Sequence, residues 1–273
     1  MEQKSSTVEK AVSEAQEKGF AEADPSADIS GLDAANKICI LAFLAFGAVI
    51  DIEEIYCEGI QEIELQDILF AKQLGFKIKH LAIASKYNNR VNLRVHPALL
   101  PEDHPLAKID NEMNAVLTYG DLFGKILCSG PGAGSLPTTS AIISDLLEIF
   151  RNYNVYLEKQ NLQVPSRNFF VENQSIQVDS GLPRSQYYLR IIAQDQTGTL
   201  AIITKILASG GISVESIIQR AEENDSQYVP IAIVTSLTSQ FEIDEVCQKL
   251  SNKNGILGKV IKYRVENYDK GKV

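Results

Sequence analysis

Residues 15–37 read AQEKGFAEADPSADISGLDAANK, and this stretch decides how the first part of the chain is organised. It overlaps the end of a helical pattern over residues 7–18, in which apolar side chains recur at helical spacing. From Gly19 to Gly31 the composition changes to Asp, Ser, Pro and Gly, which is typical of a loop. A strongly apolar helix is then predicted from about Leu32 to Ala48. The stretch therefore places an acidic loop directly before a buried helix.

The charged residues of this stretch form a candidate site. Glu22, Asp24 and Asp28 lie on the loop, and carboxylates gathered in this way can hold a substrate ammonium group by charge-assisted hydrogen bonds. Asp33 and Lys37 are four residues apart, so they share one helix face. On a face that lines a cleft, the lysine would polarise a carbonyl oxygen or exchange a proton with a hydroxyl. The charge pattern alone favours a plainer alternative, an acidic first turn with one exposed ion pair.

The composition indicates a globular protein with an acidic balance. The chain has 273 residues, enough for two compact domains, of which 45% are apolar and 22% charged. A formal charge of −9 argues against a nucleic-acid partner, which would require a basic face. The longest apolar run, Ile38–Ile50, is too short to span a bilayer, and the charged N-terminal residues are not those of a signal peptide. We therefore expect no membrane partner.

The cysteines indicate a reducing environment. They lie far apart, without a CxxC pair or a nearby histidine cluster, at Cys39, Cys57, Cys128 and Cys247. A metal site or a disulfide framework would require closer grouping. We predict buried, reduced, small hydrophobic side chains, no metal site and a cytoplasmic location.

The rest of the N-terminal half combines helices with paired strands. A helix is predicted over residues 64–74, and strands over 77–84 and 91–95, paired across Asn88-Asn89. Further predicted elements are strands 115–119 and 125–128 and a helix over 138–150. This order predicts an α+β fold with a mixed sheet.

The C-terminal part is predicted to be a separate unit. Polar residues, Pro165 and Pro183 are typical of a linker, which we assign to residues 153–184 between a first domain at 1–152 and a second at 185–268. The second domain shows a βαββαβ order, the ferredoxin-like arrangement. Its elements are strand 187–193, helix 199–209, strands 214–219 and 228–234, helix 242–250 and strand 259–265.

Residues 15–37 resemble the signature of the homoserine dehydrogenases. The fixed positions of that signature are occupied by Ala15, Gly19, an apolar and a small residue, Asp24-Pro25, Asp28, Gly31, Asp33 and Lys37. Asn114-Ala115-Val116 and the GPGAG loop at Gly130–Gly134 follow in the expected order. The resemblance thus extends over nearly the whole chain from Val8 onward.

The resemblance implies a role for each charged residue. Asp33 and Lys37 match the catalytic pair, and Glu22 and Asp28 match the acidic groups that bind the amino-acid end of homoserine or aspartate semialdehyde. In the family a nicotinamide cofactor delivers hydride to the aldehyde carbon while the lysine assists the oxygen. Ala27 stands where some relatives have an additional Asp, so substrate affinity is expected to differ.

Two glycine-containing turns receive further roles from the resemblance. Gly130 and Gly132 lack GxGxxG spacing and by themselves indicate a tight turn, whereas the resemblance implies that this loop approaches the cofactor. The turn Asp195-Gln196-Thr197-Gly198-Thr199, with Ile212, resembles the start of an ACT domain, which in this family binds an amino acid, usually threonine. The alternative is a purely structural dimerisation module.

The resemblance also implies a nucleotide-binding domain that no residue of this chain supplies. We expect NADP or NAD to be bound mainly by that domain, and the protein to be a homodimer or a higher oligomer. The 7–18 and 138–150 helices are then predicted to expose apolar surface. Two hypotheses follow: part of an enzyme, or a non-catalytic threonine-binding protein derived from one.

Overall fold

The structure, a computed structural model, describes residues 8–17, 19, 23–158, 177–179, 181–219 and 227–267. The N-terminal unit (residues 8–158) contains α1 Val8–Glu17, α2 Ser26–Ser30, α3 Leu32–Phe46, β1 Tyr56–Cys57, α4 Leu65–Gln73, β2 Phe76–Tyr87, β3 Arg90–Pro101, β4 Met113–Gly120, β5 Gly124–Pro131 and α5 Ser135–Glu158. The C-terminal unit (residues 177–267) contains β6 Gln177–Val178, β7 Gln186–Gln194, α6 Thr199–Ser209, β8 Val214–Gln219, β9 Tyr228–Thr235, α7 Gln240–Ser251 and β10 Ile256–Val265.

Within the described residues, one mixed sheet of eight strands runs through both units. β3 pairs antiparallel with β2 along one edge, and its other edge pairs in parallel with β6, β1 and β10. The sheet then continues from β10 through β7 and β9 to β8, with antiparallel pairing throughout. β4 and β5 form a separate hairpin. The mixed sheet and interspersed helices confirm the predicted α+β class.

Local backbone chemistry explains where the elements meet. Asn88 turns β2 into β3 with a φ of 52°, a left-handed conformation that asparagine tolerates better than most residues. Gly31 and Gly47 bound α3 with φ values of 87° and 69°. Such left-handed positions are favourable for glycine, which has no Cβ to clash.

Three clusters of buried side chains form the core. One lies between the C-terminal sheet and α6 and α7, and a second packs α3 against β2 and β3. The third belongs to both units, since Phe70 of α4 and Leu99 of β3 pack with Tyr188, Ala232 and Tyr263. Apolar burial of this kind contributes roughly 25 cal/mol per Å². The two units are therefore joined by a shared core as well as by strand pairing.

Most predicted elements are present, with five main differences. β6 lies inside the predicted linker at 153–184 and was not predicted. α2 lies inside the predicted loop, where Asp24 Oδ1 accepts a hydrogen bond from the Ser26 backbone N–H and starts the turn. β1 was missed because a two-residue parallel strand leaves no periodic pattern. β2 and β3 are longer than predicted. α5 begins earlier, since Pro137 is tolerated in a first turn, and continues to Glu158, past the proposed domain boundary at 152.

Candidate active site

The acidic loop is organised by hydrogen bonds within its own backbone. Pro25 O accepts from Ile29 N at 3.0 Å, and Asp28 O accepts from Gly31 N at 3.3 Å. The hydrogen bonds from Ser26 hold the pKa of Asp24 below its ordinary value. Asp24 is therefore ionised at neutral pH. Only Gly31 separates α2 from α3. Glu22, which was predicted to bind the substrate together with Asp28, lies outside the described residues.

Asp33 and Lys37 form the predicted pair on α3. Lys37 Nζ lies 2.7 Å from Asp33 Oδ2, and the two side chains are 59% and 41% exposed. Because both belong to one helix, their mutual position depends on the helix alone. The pair is open to solvent and therefore accessible to a substrate.

One large cleft brings the predicted residues together. It has a volume of about 2900 Å³, and its walls include Asp24, Asp28, Asp33, Lys37 and Gly132. The same cleft is also lined by residues of β2 and of the β4–β5 hairpin. The structure thus unites residues from the loop, from α3 and from the glycine turn. Gly130 does not line the cleft, although it lies two residues from Gly132.

The cleft contains a second ion pair, between Lys79 and Asp110, that was not predicted from the sequence. Lys79 Nζ donates to Ile109 O at 2.6 Å and to Asp110 Oδ1 at 3.1 Å, and Lys77 Nζ lies 3.7 Å from the same carboxylate. Burial raises the pKa of Asp110. The hydrogen bond and charge of Lys79 and the charge of Lys77 together lower it by more, so the net shift is downward. The only sequence signal is strand alternation, which does not place Lys79 beside Asp110.

The two glycines at the end of β5 have different surroundings. A Cβ at Gly132 would lie 2.3 Å from Asn114 Nδ2, whereas a Cβ at Gly130 would meet no atom within 4 Å. Gly132 N also donates to Glu112 O at 2.9 Å. A side chain at Gly132 would therefore displace the amide of Asn114, which is the end of an exposed side chain. Gly130 leaves its backbone accessible.

The predicted effector residues lie in the C-terminal unit, and none of them lines the cleft. Gly198 has a φ of 94° and precedes α6, and Asp195 N donates to Gln227 O at 3.0 Å. Asp195 and Gly198 are exposed, and Thr199 is half-buried. Ile212 differs, because its side chain is buried in the C-terminal core and its N–H donates to Leu207 O.

Exposed apolar side chains are concentrated on α5. Those at least 50% exposed are Leu136, Ile142, Ile143, Leu146, Leu147, Ile149 and Phe150. This confirms the prediction for the 138–150 helix. It is wrong for α1, where Ala11, Val12 and Ala15 are half-buried. Their apolar face is partly covered, and Ala11 and Ala15 line the cleft.

The prediction of buried cysteines holds only for Cys247, since Cys39 is half-buried and Cys57 and Cys128 are exposed. Within the part of the chain that the structure describes, His, Cys, Asp and Glu form no cluster of three or more suited to a metal ion. None of the described helices is both long and apolar enough to cross a membrane.

Comparisons with known proteins show the family of the chain. The family model described as homoserine dehydrogenase matches residues 1–147. The homoserine dehydrogenase of Pseudomonas aeruginosa is 38% identical over 270 residues, which are 97% of this chain and 61% of that protein. That of Bacillus subtilis is 36% identical over 261 residues, covering 96% and 59%.

Solved structures give the same result. A homoserine dehydrogenase from Thiobacillus denitrificans superposes with a TM-score of 0.82 at 37% identity, covering 98% of this chain and 60% of that one. The Staphylococcus aureus enzyme at pH 7.0 has a TM-score of 0.68 at 31% identity, covering 98% and 61%. The chain thus spans about three fifths of the length of these relatives. On the family match over residues 1–147, this chain belongs to the homoserine dehydrogenase family.

Proposed function

We propose that the chain supplies the substrate-binding and catalytic part of an NAD(P)-dependent homoserine dehydrogenase, which interconverts aspartate semialdehyde and homoserine. The observation that carries the proposal is the Asp33–Lys37 pair, 2.7 Å apart, on the wall of a cleft that it shares with Asp24 and Asp28. A charged amine beside carboxylates suits a substrate that contains an ammonium group and a reacting oxygen.

Each residue then has a defined task. The Asp28 carboxylate, with Glu22, accepts hydrogen bonds from the substrate ammonium group. Lys37 Nζ donates a proton to the carbonyl oxygen in the reduction and takes it back from the hydroxyl in the oxidation. Asp33 orients the ammonium of Lys37 toward this oxygen. The nicotinamide, when bound, supplies or accepts the hydride at the adjacent carbon.

For the cofactor, we propose NADP or NAD, held mainly by a nucleotide-binding domain, with Gly130 and Gly132 of this chain beside it. The open space around Gly130 supports this contribution, since a backbone without a Cβ permits a close approach. Gly132 lines the same cleft as Lys37, which supports the proposal that the glycine turn lies near the substrate.

For the C-terminal unit, we propose an ACT domain that binds threonine at the turn of Asp195, Gly198 and Thr199. Its βαββαβ order and the strand order β10-β7-β9-β8 support this. The N–H groups at the start of α6 suit the carboxylate of an amino acid. We also propose a cytoplasmic homodimer or higher oligomer, supported by the exposed apolar face of α5.

The test is homoserine-dependent reduction of NADP and NAD by the purified chain, alone and mixed with a separately expressed nucleotide-binding domain. Lys37→Ala should abolish turnover. Lys249→Ala is the matched control, because Lys249 pairs with Glu245 at i, i+4 with similar exposure and lies on α7. No turnover in a folded mixture would favour the non-catalytic binding protein, and equal loss in both variants would contradict the assignment of Lys37.

A further inference from the structure

A short segment, residues 57–64, contacts the junction between α2 and α3. Ile60 N donates to Ile29 O at 2.9 Å, and Cys57 Sγ lies 3.6 Å from Ser30 O. We call residues 57–64 the bridge. These contacts connect the bridge to the backbone on which the acidic loop ends.

The packing at this junction leaves no room for an additional methyl group. A Cβ at Gly59 would lie 2.3 Å from Ile29 O, a backbone atom that cannot move by itself. A Cβ at Gly31 would lie 3.0 Å from His80 Cε1, and the His80 ring is fixed by a 3.0 Å contact between Nε2 and Glu58 O. The bridge therefore sets the position of the junction by direct contact.

The other end of the bridge is held by the C-terminal unit. Arg190, whose side chain is 5% exposed, donates to Glu62 O at 3.3 Å, pairs with Glu64 and places Nε 3.0 Å from Asp67 Oδ1. Lys259 adds a pair with Glu62 at 2.8 Å. Charge-assisted contacts at a buried guanidinium are geometrically specific. One residue of β7 thus fixes the end of the bridge and the start of α4.

We propose that Arg190 is a positioning residue: through the bridge it sets the place of Asp28 relative to Lys37. Asp28 lies on α2 and Lys37 on α3, so their separation depends on the junction at Gly31, which the bridge holds. The Asp33–Lys37 pair does not depend on it, since both residues belong to α3. The inference rests on the proposed function in so far as it takes Asp28 as a substrate ligand.

The first test is amide hydrogen exchange of the full chain. Glu64→Gln removes the carboxylate that pairs with Arg190, and the Glu64 side chain is 60% exposed. Glu245→Gln is the control, because it removes the carboxylate of the exposed Glu245–Lys249 pair on α7. Exchange over residues 29–35 should become about tenfold faster in Glu64→Gln, as expected for the loss of one charge-assisted hydrogen bond, and stay unchanged in Glu245→Gln. Acceleration that extends to α7 would be a global loss of stability and would contradict the bridge.

The second test is homoserine binding by calorimetry. In Gly59→Ala the added Cβ clashes with Ile29 O, and homoserine binding should become about tenfold weaker. The rate at which acetic anhydride acetylates Lys37 should be the same in this variant as in the wild type. Gly181→Ala is the control, because its Cβ would meet only the end of the Asp179 side chain. Faster exchange at 29–35 without homoserine binding by the wild type would support the bridge and overturn the substrate assignment. Unchanged exchange in both Glu64→Gln and Gly59→Ala would overturn the bridge.

Discussion

Tyr188 Oη donates a 3.0 Å hydrogen bond to Oδ1 of Asp67, although the two residues are 121 positions apart in the chain. Asp67 is fully buried at the start of α4, and Tyr188 is fully buried on β7. Burial raises the pKa of Asp67. The hydrogen bonds from the Glu64 N–H and Tyr188 and the charge of Arg190 act in the opposite direction, but the net shift is upward. This contact joins the N-terminal and C-terminal units inside their shared core, so the two units are expected to unfold together.

Asp67→Asn should therefore destabilise the whole chain. The substitution keeps an acceptor for Tyr188 but leaves the buried Arg190 without one of its two carboxylates. Removing one partner of a buried ion pair costs about 3–5 kcal/mol, and Glu64 will reduce this. We expect a loss of about 2–3 kcal/mol in the free energy of unfolding in urea, in a single transition. A loss equal to that of Asp244→Asn, which affects an exposed pair with Lys262, would contradict a structural role of the contact.

The sequence predicts the elements of this fold better than their assembly. α3 and α7 have apolar periodicity with clear ends, and the Asp33–Lys37 pair follows from spacing of four residues alone. The Asp67–Tyr188 contact and the β3–β10 pairing join distant segments, and no local pattern encodes such partners. Lys79 was missed for the same reason: its proximity to Asp110 depends on how β2 packs against the turn after β3.

Asp33→Asn should reduce activity without unfolding the protein. Its carboxylate is 41% exposed and contacts Lys37 within one helix, so the loss of stability should stay below about 0.5 kcal/mol. Because we propose that Asp33 orients Lys37 for proton transfer, its loss should lower kcat by about 10²-fold or more. The assay is homoserine oxidation by the chain mixed with a separately expressed nucleotide-binding domain. Glu245→Gln, which removes the carboxylate from the matched pair, should leave kcat unchanged.

Acid stability should depend on Glu242. Hydrogen bonds from the Ser239 backbone and the Thr238 and Ser239 hydroxyls lower its pKa from 4.5 to about 2. Because the folded pKa lies below the unfolded one, the stabilisation is complete above about pH 4.5 and disappears as the pH falls toward about 2. The melting temperature of Glu242→Gln should consequently fall less steeply than that of the wild type across this range. An identical slope for both proteins would refute the link, and Glu245→Gln tests a carboxylate of the same helix with no such contacts.

The two glycines of the β5 turn should respond differently to alanine. Gly132→Ala displaces the Asn114 amide, the exposed end of a side chain that lies 2.3 Å from the added Cβ, and should cost about 1 kcal/mol of stability. Gly130→Ala meets no atom within 4 Å and should change stability by less than about 0.5 kcal/mol. Thermal unfolding of both variants measures the difference. Equal destabilisation would mean that the turn is limited by backbone conformation and not by Asn114.

The exposed face of α5 should control self-association. Ile142, Leu146 and Ile149 share one helix face at spacings of four and three residues and are 55%, 59% and 65% exposed. Because they bury little surface within their own chain, Leu146→Glu combined with Ile149→Glu should leave the melting temperature of the isolated chain nearly unchanged. Sedimentation equilibrium should show a dimer or larger species for the wild type and a monomer for the double variant. Phe241→Glu changes a 77% exposed residue on α7 and should remain associated, whereas dissociation by Phe241→Glu alone would place the contact between copies on the C-terminal unit.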